Sequence, residues 1–302
     1  MLTFKPVTLA DREWMAPVIF AENSRNADYS FVNIYAWGAS YEARWACVDG
    51  CLVIWTVIAG VDYYAYPLGA DTDEKLRAVV EALLEHCRDR KDELRIISIS
   101  PAQAPRLEAL FPGRFTFTPR TELFDYVYSA ERLSTLAGKK LHAKRNFIHH
   151  FEAEHSWELV PMRPDNVGLA AELDGLWVIE QAGDAMETAM AEARAIRTAL
   201  KDFDRLGLEG AFLFADGTPC AFTLGERLCK DTYVIHYEKA NASIMGAYPM
   251  VNREFVRLIL QKYPELKWIN REDDMGLENL RKAKRSYYPD FMEEKYKAVA
   301  QP

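Results

Sequence analysis

The sequence lacks the patterns that mark metal sites, disulfide frameworks and membrane spans. Its five cysteines show no C-x-x-C spacing and no cysteine–histidine ligand spacing, so neither a zinc site nor a redox pair is predicted. No apolar run approaches the ~18 residues that a membrane-spanning helix requires, and the amino terminus does not resemble a signal peptide. We therefore expect a soluble, cytoplasmic protein whose cysteines are reduced core residues.

Several catalytic signatures are also missing. The chain has no G-x-S-x-G, P-loop, H-E-x-x-H or G-x-G-x-x-G motif, which leaves serine hydrolase, nucleoside triphosphatase, zinc protease and Rossmann functions unsupported. The histidines between positions 142 and 155 are not spaced as metal ligands, so no metal is predicted. The formal net charge is -8. A nucleic acid or an anionic membrane would therefore have to bind a local basic patch.

The 302 residues are 49% hydrophobic and 27% charged, which suffices for one large or two modest domains. Hydrophobic periodicity and turn signals predict the following elements in the first half. They are a strand at 3–7, a helix at 11–19, a hairpin through Asp49-Gly50, a strand at 63–66, a helix from Asp73 and a strand at 93–98. The first half is thus predicted to be α+β.

The second half repeats this order. It shows a strand at 159–162, a helix from Asp165, a hairpin through Asp216-Gly217, a strand at 233–237, a helix at 249–262 and a strand at 265–270. The last strands of the two halves read E-L-R-I-I-S and E-L-K-W-I-N, 44 and 49 residues after their hairpins (Asp49 to Glu93, Asp216 to Glu265). This pattern predicts a diverged internal duplication; coincidence between two common α/β patterns is the alternative.

Four stretches carry a resemblance to a known family. They are G-K-K-L-H-A-K-R-N-F-I-H-H-F (138–151), E-K-A-N-A-S-I-M-G-A-Y-P-M-V-N-R-E-F (238–255), I-N-R-E-D-D-M-G (269–276) and L-R-K-A-K-R-S-Y-Y-P (280–289). They resemble a bacterial family that is similar to the catalytic domain of lysyl-phosphatidylglycerol synthases and, more distantly, to the Fem peptidyltransferases. The resemblance implies two tandem GNAT-like lobes, each a mixed, mostly antiparallel sheet flanked by helices. We place them at 1–130 and 131–302, with the site in the second lobe.

In those relatives an aminoacyl group passes from aminoacyl-tRNA to an amine or a lipid hydroxyl. The resemblance therefore implies an acyltransferase without a prosthetic group. Its partners would be a tRNA acceptor end, held by local basic patches, and a small-molecule, peptide or lipid acceptor. A coenzyme-A-dependent N-acyltransferase and a non-catalytic binding protein are the two alternatives.

The segment 134–154 is the most cationic part of this acidic protein. On a helical projection Lys140 and Lys144 fall on the same stripe as Leu141, Phe147 and Ile148. A lysine pair on a buried face either reaches the rim of that face or binds an anion, and we expect an anionic ligand. The off-stripe residues that could reach a phosphate or carboxylate are Arg145 and Asn146.

Residues 243–249 occupy the place where GNAT enzymes bind a pyrophosphate at a helix start. The usual signature is [QR]-x-x-G-x-[GA], whereas this chain has Ser243, Gly246 and Tyr248 at the matching positions. The first and last positions depart from the signature, which argues against coenzyme A. The departure leaves room for an aminoacyl adenosine end, which requires stacking and hydrogen bonds.

Polar residues cluster after the last strand. Asn270, Arg271, Glu272, Asp273 and Asp274 follow it directly, at the strand end where ligands bind in open α/β sheets. Asp274 is also predicted to cap the following helix. Acyl transfer requires a base and an acid, and we nominate Glu238 or Glu272 as base and Tyr287 or Tyr288 as acid. Alternatively, Glu238 only pairs with Arg271 or Lys239.

The complete set of predicted site residues draws on all four stretches. The catalytic candidates are Glu238, Glu272 and Tyr287. The substrate-binding candidates are Lys140, Lys144, Arg145, Asn146, Gly246, Tyr248, Asn252, Asn270, Arg271, Asp273, Arg281 and Lys282. Arg281 and Lys282 belong to a second basic cluster with Lys284 and Arg285, which either contacts tRNA phosphates or only aids solubility.

Overall fold

A computed structural model describes residues 2–180 and 186–301 of the chain. Its first part contains β1 (Lys5–Pro6), α1 (Arg12–Ala21), α2 (Phe31–Ala36), β2 (Arg44–Val48), β3 (Cys51–Ile58), β4 (Val61–Ala65), α3 (Asp73–Asp89), β5 (Arg95–Ile99), α4 (Gln103–Leu110), β6 (Phe115–Pro119), β7 (Asp125–Ser129) and α5 (Ala130–Thr135). Then follow α6 (His142–Glu154), β8 (Trp157–Pro161), α7 (Gly168–Glu180), α8 (Met186–Lys201), α9 (Phe203–Leu206), β9 (Glu209–Ala215), β10 (Thr218–Arg227), β11 (Thr232–Ala240), α10 (Ala247–Lys262), β12 (Trp268–Asn270), α11 (Glu278–Arg285), β13 (Phe291–Glu293) and β14 (Tyr296–Ala300).

The chain divides into two compact units. Unit 1 comprises Met1–Asp125, Asp273–Gly276 and Met292–Pro302, and unit 2 comprises Tyr126–Glu272 and Leu277–Phe291. The predicted lobes at 1–130 and 131–302 therefore end the first lobe five residues too late and misplace the carboxyl-terminal segment. The reason is that β14 pairs with β5 and β6, far earlier in the chain.

The two seven-stranded sheets have the same pairing order. One runs β1-β2-β3-β4-β5-β14-β6, and the other, read from its opposite edge, runs β8-β9-β10-β11-β12-β7-β13. The fourth and fifth strands of each sheet are parallel, β4 with β5 and β11 with β12. The sixth position of each sheet is filled by a strand from the other half of the sequence. The prediction of mixed, mostly antiparallel sheets flanked by helices is confirmed.

Helix α3 shows how the sequence pattern produces the fold of unit 1. Thr72 caps its start by accepting a hydrogen bond from the Lys75 amide. The helical spacing of Leu76, Val79, Val80, Leu83 and Leu84 predicts an inward apolar stripe; the first four are fully buried in the core of the unit, whereas Leu84 is only partly buried. Two other expectations fail. Phe147 is 43% exposed, although it was placed on the inward stripe of α6, and Cys47 is exposed while the other four cysteines are buried.

Unit 1 also contains a buried ionic cluster that the sequence did not indicate. The Lys295 ammonium lies 2.7 Å from both Asp28 Oδ1 and Asp125 Oδ1. Asp125 is fully buried, and its Oδ2 accepts a hydrogen bond from the Ala27 amide at 2.9 Å. Burial opposes the charge on Lys295, but the two aspartates outweigh it and raise the pKa of Lys295. The cluster joins the carboxyl-terminal segment to residues more than 150 positions earlier.

Among the helices that the structure describes, within residues 2–180 and 186–301, none is long and apolar enough to cross a lipid bilayer.

Candidate functional site

The candidate site of unit 2 begins where the parallel strands β11 and β12 separate. Their pairing ends at Val234 and Asn270, whereas β11 continues to Ala240. The pairing of β11 with β10 shifts at this point, so that His236 is an extra, bulged residue. Gly225 of β10 faces the bulge, where a Cβ atom would lie 1.9 Å from the Val234 carbonyl oxygen. Only glycine therefore fits opposite the bulge.

Glu238 lies beyond this bulge and forms two side-chain hydrogen bonds. Its Oε1 accepts a hydrogen bond from Arg271 Nη2 at 2.8 Å, and its Oε2 accepts one from Asn252 Nδ2 at 2.9 Å. The Glu238 side chain is only 6% exposed, and Asn252 on α10 is fully buried. The Oδ1 atom of Asn252 has no hydrogen-bond partner in the described part of the chain. Residues from two of the motifs thus meet at one carboxylate.

Two cations meet at the ring of Tyr287. The guanidinium of Arg271 lies 4.8 Å from the ring centroid, and the ammonium of Lys144 lies over the same ring at 4.1 Å. Burial lowers the pKa of Lys144 to about 8, and the charge of Arg271 acts in the same direction. Burial also raises the pKa of Tyr287, so its phenol keeps its proton at neutral pH. No carboxylate of residues 2–180 or 186–301 forms an ion pair with Lys144.

His236 is held between two carboxylates. Its Nδ1 lies 2.7 Å from Glu272 Oε1, and its Nε2 lies 3.4 Å from Glu226 Oε1. Burial opposes a charge on this fully buried ring, but the hydrogen bonds to both glutamates outweigh it and raise the pKa of His236 to about 9. The sequence analysis did not include His236 among the candidate site residues. The available signal was a histidine and two glutamates on or beside otherwise apolar central strands.

A buried lysine fixes the turn after β12. Lys284 of α11 donates from Nζ to the carbonyl oxygens of Arg271, at 2.6 Å, and Glu272, at 3.3 Å. Its own carbonyl oxygen accepts a hydrogen bond from the Tyr128 hydroxyl at 2.8 Å. Asn270 completes the turn, because its Oδ1 accepts a hydrogen bond from the Glu272 amide at 2.6 Å. The sequence predicts Lys284 in a basic cluster that either contacts tRNA phosphates or aids solubility, whereas in the structure it supports the Arg271 backbone.

The acidic residues that follow this turn have local roles. Asp273 Oδ1 accepts a hydrogen bond from the Met275 amide at 2.6 Å, and both residues belong to unit 1. Asp274 Oδ1 accepts one from the Gly276 amide at 3.0 Å. The predicted helix cap at Asp274 is wrong, because α11 begins at Glu278 with Leu277 in the capping position.

Five other predicted residues lie outside the Glu238 cluster. Arg145 donates to the carbonyl oxygens of Leu136 and Gly138 and so closes the segment between α5 and α6. Asn146 is exposed beside His142, at 3.4 Å. Arg281 and Lys282 approach Glu278 of their own helix at 3.7 and 3.6 Å. Lys140 is exposed and lies over the Tyr288 ring at 5.3 Å, not on a buried face.

The turn before α10 is closed by its own hydrogen bonds. The Ser243 amide donates to Asn241 Oδ1 at 2.9 Å, the Ile244 amide to the Asn241 carbonyl at 3.2 Å, and the Ala247 amide to the Ile244 carbonyl at 3.2 Å. A pyrophosphate needs free backbone amides at a helix start, and these three are engaged. Tyr248 is half-buried in the first turn of α10.

Gly246 serves packing between α10 and α6. Its φ is +90°, and a Cβ atom would lie 2.2 Å from the Phe147 carbonyl oxygen. We expect Gly246→Ala to lower the free energy of unfolding by about 2–5 kcal/mol, because left-handed strain and overpacking add. Gly217→Ala is the matched control, since its φ is +77° with no atom within 4 Å, and should cost about 1–2 kcal/mol. Equal losses in urea-induced unfolding would contradict the packing role.

Two surface hollows of about 310 and 350 Å³ are lined by residues of α3 and α4 and by residues around α8 and α9. Neither is lined by a predicted site residue. The candidate site is therefore the polar cluster where β11 and β12 separate, and it is a packed arrangement around Glu238.

Comparison with known proteins identifies the family. The profile described as "Phosphatidylglycerol lysyltransferase, C-terminal" matches residues 21–299. The chain belongs to this family. Comparison with curated proteins gave no match.

Solved structures agree with membership of the phosphatidylglycerol lysyltransferase C-terminal family. A conserved protein of unknown function from Bacteroides thetaiotaomicron is 37% identical, with all of both chains covered and a TM-score of 0.92. L-PGS from Bacillus licheniformis is 14% identical, with 96% of this chain and 92% of that chain covered and a TM-score of 0.65. FemX is 9% identical, with 98% and 97% covered and a TM-score of 0.64. A tandem GNAT protein also matches, and the predicted tandem GNAT-like fold and the predicted family are confirmed.

Proposed function

We propose that this member of the phosphatidylglycerol lysyltransferase C-terminal family transfers an aminoacyl group from aminoacyl-tRNA, or a similar activated ester, to an amine or hydroxyl acceptor. The observation that carries the proposal is the pair of cations at Tyr287, beside the buried carboxylate of Glu238. The ammonium of Lys144 has no carboxylate partner within the described ranges. Such a site favours an anionic donor and stabilises negative charge that develops during acyl transfer.

The proposed reaction needs only proton transfer and positioning. The acceptor's nitrogen or oxygen attacks the ester carbonyl carbon, and the bond between that carbon and the ribose oxygen breaks. Glu238 takes the proton that the acceptor loses, and the departing ribose oxygen gains a proton from a general acid, for which Lys144 is the candidate. Lys144 and Arg271 stabilise the negative charge on the carbonyl oxygen before the bond breaks. Bringing the two substrates together supplies the rest of the rate increase.

Lys144 suits the role of proton donor better than Tyr287. A general acid works best when its pKa lies near the working pH. The pKa of Lys144 is about 8, whereas burial raises the pKa of the Tyr287 phenol above its ordinary range. We therefore assign Tyr287 to positioning, because its ring holds both cations. His236 and Lys284 fix the turn that carries Arg271, and Glu272 belongs to that support.

The donor assignment can be tested against coenzyme A. The hydrogen-bonded turn at 241–247 offers poor support for a pyrophosphate, which favours the aminoacyl ester. We expect charged tRNA to raise the thermal unfolding midpoint of the protein and to donate its radiolabelled amino acid to an amine or hydroxyl acceptor. Stabilisation by acetyl-CoA alone would instead support the coenzyme-A-dependent reaction, and stabilisation by neither would support a binding protein.

Donor binding should weaken as the pH rises through about 8. Lys144 is charged below this pKa, and its pKa lies below the ordinary lysine value, so the folded protein loses this charge while the unfolded chain keeps it. If only the charged form binds, the Kd for charged tRNA should be about tenfold higher at pH 9 than at pH 7. Between about pH 8 and 10.5 the same titration increases the free energy of unfolding.

Lys144→Arg provides the control for this titration. A guanidinium stays charged throughout this range, so its Kd should change little between pH 7 and pH 9 in fluorescence anisotropy measurements. An equally steep pH dependence in Lys144→Arg would show that another group titrates and would remove Lys144 from the donor site.

We also infer that the two halves arose by internal duplication. The identical pairing order of the two sheets supports this history, including the parallel pair at the same position in each. The proposed acceptor is an amine or hydroxyl compound, a class that includes small molecules, peptides and lipids. We retain a cytoplasmic location as part of the proposal.

A further inference from the structure

Tyr288 combines an exposed ring with an unusual backbone. It directly follows the buried Tyr287, and 44% of it is exposed to solvent. Its φ is +54°, a left-handed conformation that residues with a side chain seldom adopt. Strained backbone of this kind persists only where the surroundings impose it, and it concentrates at binding and catalytic sites.

Hydrogen bonds fix the Tyr288 backbone on both sides. Its amide donates to the Arg285 carbonyl at 2.9 Å, and its carbonyl oxygen accepts a hydrogen bond from the Arg132 guanidinium. Arg132 also pairs with Asp290 at 2.7 Å, and the Asp290 amide donates to the Val127 carbonyl at 2.8 Å. A flexible surface loop would not need these bonds. The turn therefore holds the ring in a defined outward position.

One lysine contacts the exposed ring, and further basic residues lie nearby in the sequence. The Lys140 ammonium lies over it at 5.3 Å, and Lys139, Lys282 and Arg285 are exposed on the adjoining helical segments. This basic surface stands out on a chain with a net charge of -8. A flat aromatic face with lysines beside it is the combination that binds single-stranded nucleic acid, since bases stack on the ring and phosphates contact the cations.

We propose that Tyr288 is a stacking platform for a base in the single-stranded 3′ end of the donor RNA, with Lys140 contacting a neighbouring phosphate. The identity of the RNA rests on the proposed function, but the stacking site rests on the geometry above. Tyr288 directly follows Tyr287 in the chain, and the ring of Tyr287 lies under Lys144. In this proposal, RNA that stacks on Tyr288 presents its terminal ester to the Glu238 cluster.

A single-stranded RNA is favoured over an anionic lipid surface. Lipid headgroups would bind the lysines, and a tyrosine ring also suits a membrane interface in many orientations. A ring that hydrogen bonds hold in one orientation serves base stacking in particular, because stacking uses the face of that ring. The overall negative charge also opposes approach to an anionic bilayer.

The test uses fluorescence anisotropy to measure the binding of a fluorescein-labelled single-stranded RNA octamer, which carries no aminoacyl group, to the full chain. Tyr288→Ala should weaken binding at least about fivefold, the effect of losing one stacked base. Tyr288→Asn removes the ring while suiting the left-handed backbone, so it should show the same loss even if the alanine variant folds poorly. Tyr288→Trp should bind at least as tightly as the wild type, and Lys140→Met should reduce the salt dependence of binding.

Trp157→Ala is the matched control, because Trp157 is also exposed, at 37%, on β8 of the same unit. It should leave RNA binding unchanged. Wild-type affinity in both Tyr288→Ala and Tyr288→Asn would overturn the proposal. If Tyr288→Ala and Tyr288→Asn instead lost binding to phosphatidylglycerol vesicles while they kept RNA binding, the proposal would be overturned in favour of a lipid. Because the assay needs no transfer, RNA binding that depends on Tyr288 would stand even if the protein failed to transfer an aminoacyl group.

Discussion

Glu238→Gln is expected to lower the rate of aminoacyl transfer by about 10²–10⁴-fold, the usual contribution of a general base. The substitution keeps the size and shape of the side chain. The amide oxygen can still accept the hydrogen bond from Arg271. The amide nitrogen can donate to Asn252 Oδ1 after the Asn252 side-chain amide rotates by about 180°, which exchanges its Nδ2 and Oδ1 positions. The thermal unfolding midpoint should therefore stay near that of the wild type, so that lost activity reports lost proton transfer.

Glu158→Gln is the control for this measurement. Glu158 is an exposed carboxylate on β8 of the same sheet, and its replacement should leave the transfer rate unchanged. If Glu238→Gln retains more than about a tenth of the activity, well short of the loss expected of a general base, the base lies elsewhere. Glu272 would be the next candidate, and Glu272→Gln would then have to show the larger loss.

Lys295→Met is expected to reduce the free energy of unfolding by about 3–5 kcal/mol, the cost of removing one partner from a buried ion pair. The ammonium of Lys295 is 3% exposed and is shared by Asp28 and the fully buried Asp125. Without it, the Asp125 carboxylate stays buried with no compensating cation at 2.7 Å. Urea-induced unfolding followed by tryptophan fluorescence measures the loss.

Two further variants show whether charge is the cause. Lys297 lies on β14, two residues after Lys295. Lys297→Met should change the free energy of unfolding by no more than about 0.5 kcal/mol, which is the usual range for substitutions outside buried clusters. Adding Asp125→Asn to Lys295→Met should recover part of the loss, because it removes the unpaired buried charge. A double variant less stable than Lys295→Met would mean that the shape of the cluster, and not its charge, stabilises unit 1.

The candidate site could be predicted in part because its residues stand out by type. Glu238 and Arg271 are charged residues at the ends of apolar strands, and Lys144 interrupts an apolar helical stripe. The structure brings these three together around Tyr287. Arg145 was equally conspicuous, yet its guanidinium binds main-chain carbonyl groups. The sequence shows that a charged residue lies on an apolar face and therefore needs a partner. It does not show whether that partner is a main-chain group or a ligand.

The supporting residues were missed for a different reason. The bulge at His236 arises from a one-residue shift between β10 and β11, and a strand pattern in one segment does not reveal the register of its neighbour. Lys284 sits in a run of basic residues, and only the packing of α11 turns it inward. Such positions depend on pairs of residues far apart in the chain.

The strands and helices that the sequence predicted in the two halves appear in the predicted order, because hydrophobic periodicity, caps and hairpin turns act over a few residues; β6, β7, β13 and β14 were not predicted. The sequence by itself also determined the family, through the four motifs. Only the tertiary structure decided where β7 and β14 pair, and with them the true limits of the two units. The physical reason is that short strands gain their stability from partners supplied by distant segments, and the Lys295 cluster that fixes β14 joins residues 170 and 267 positions apart.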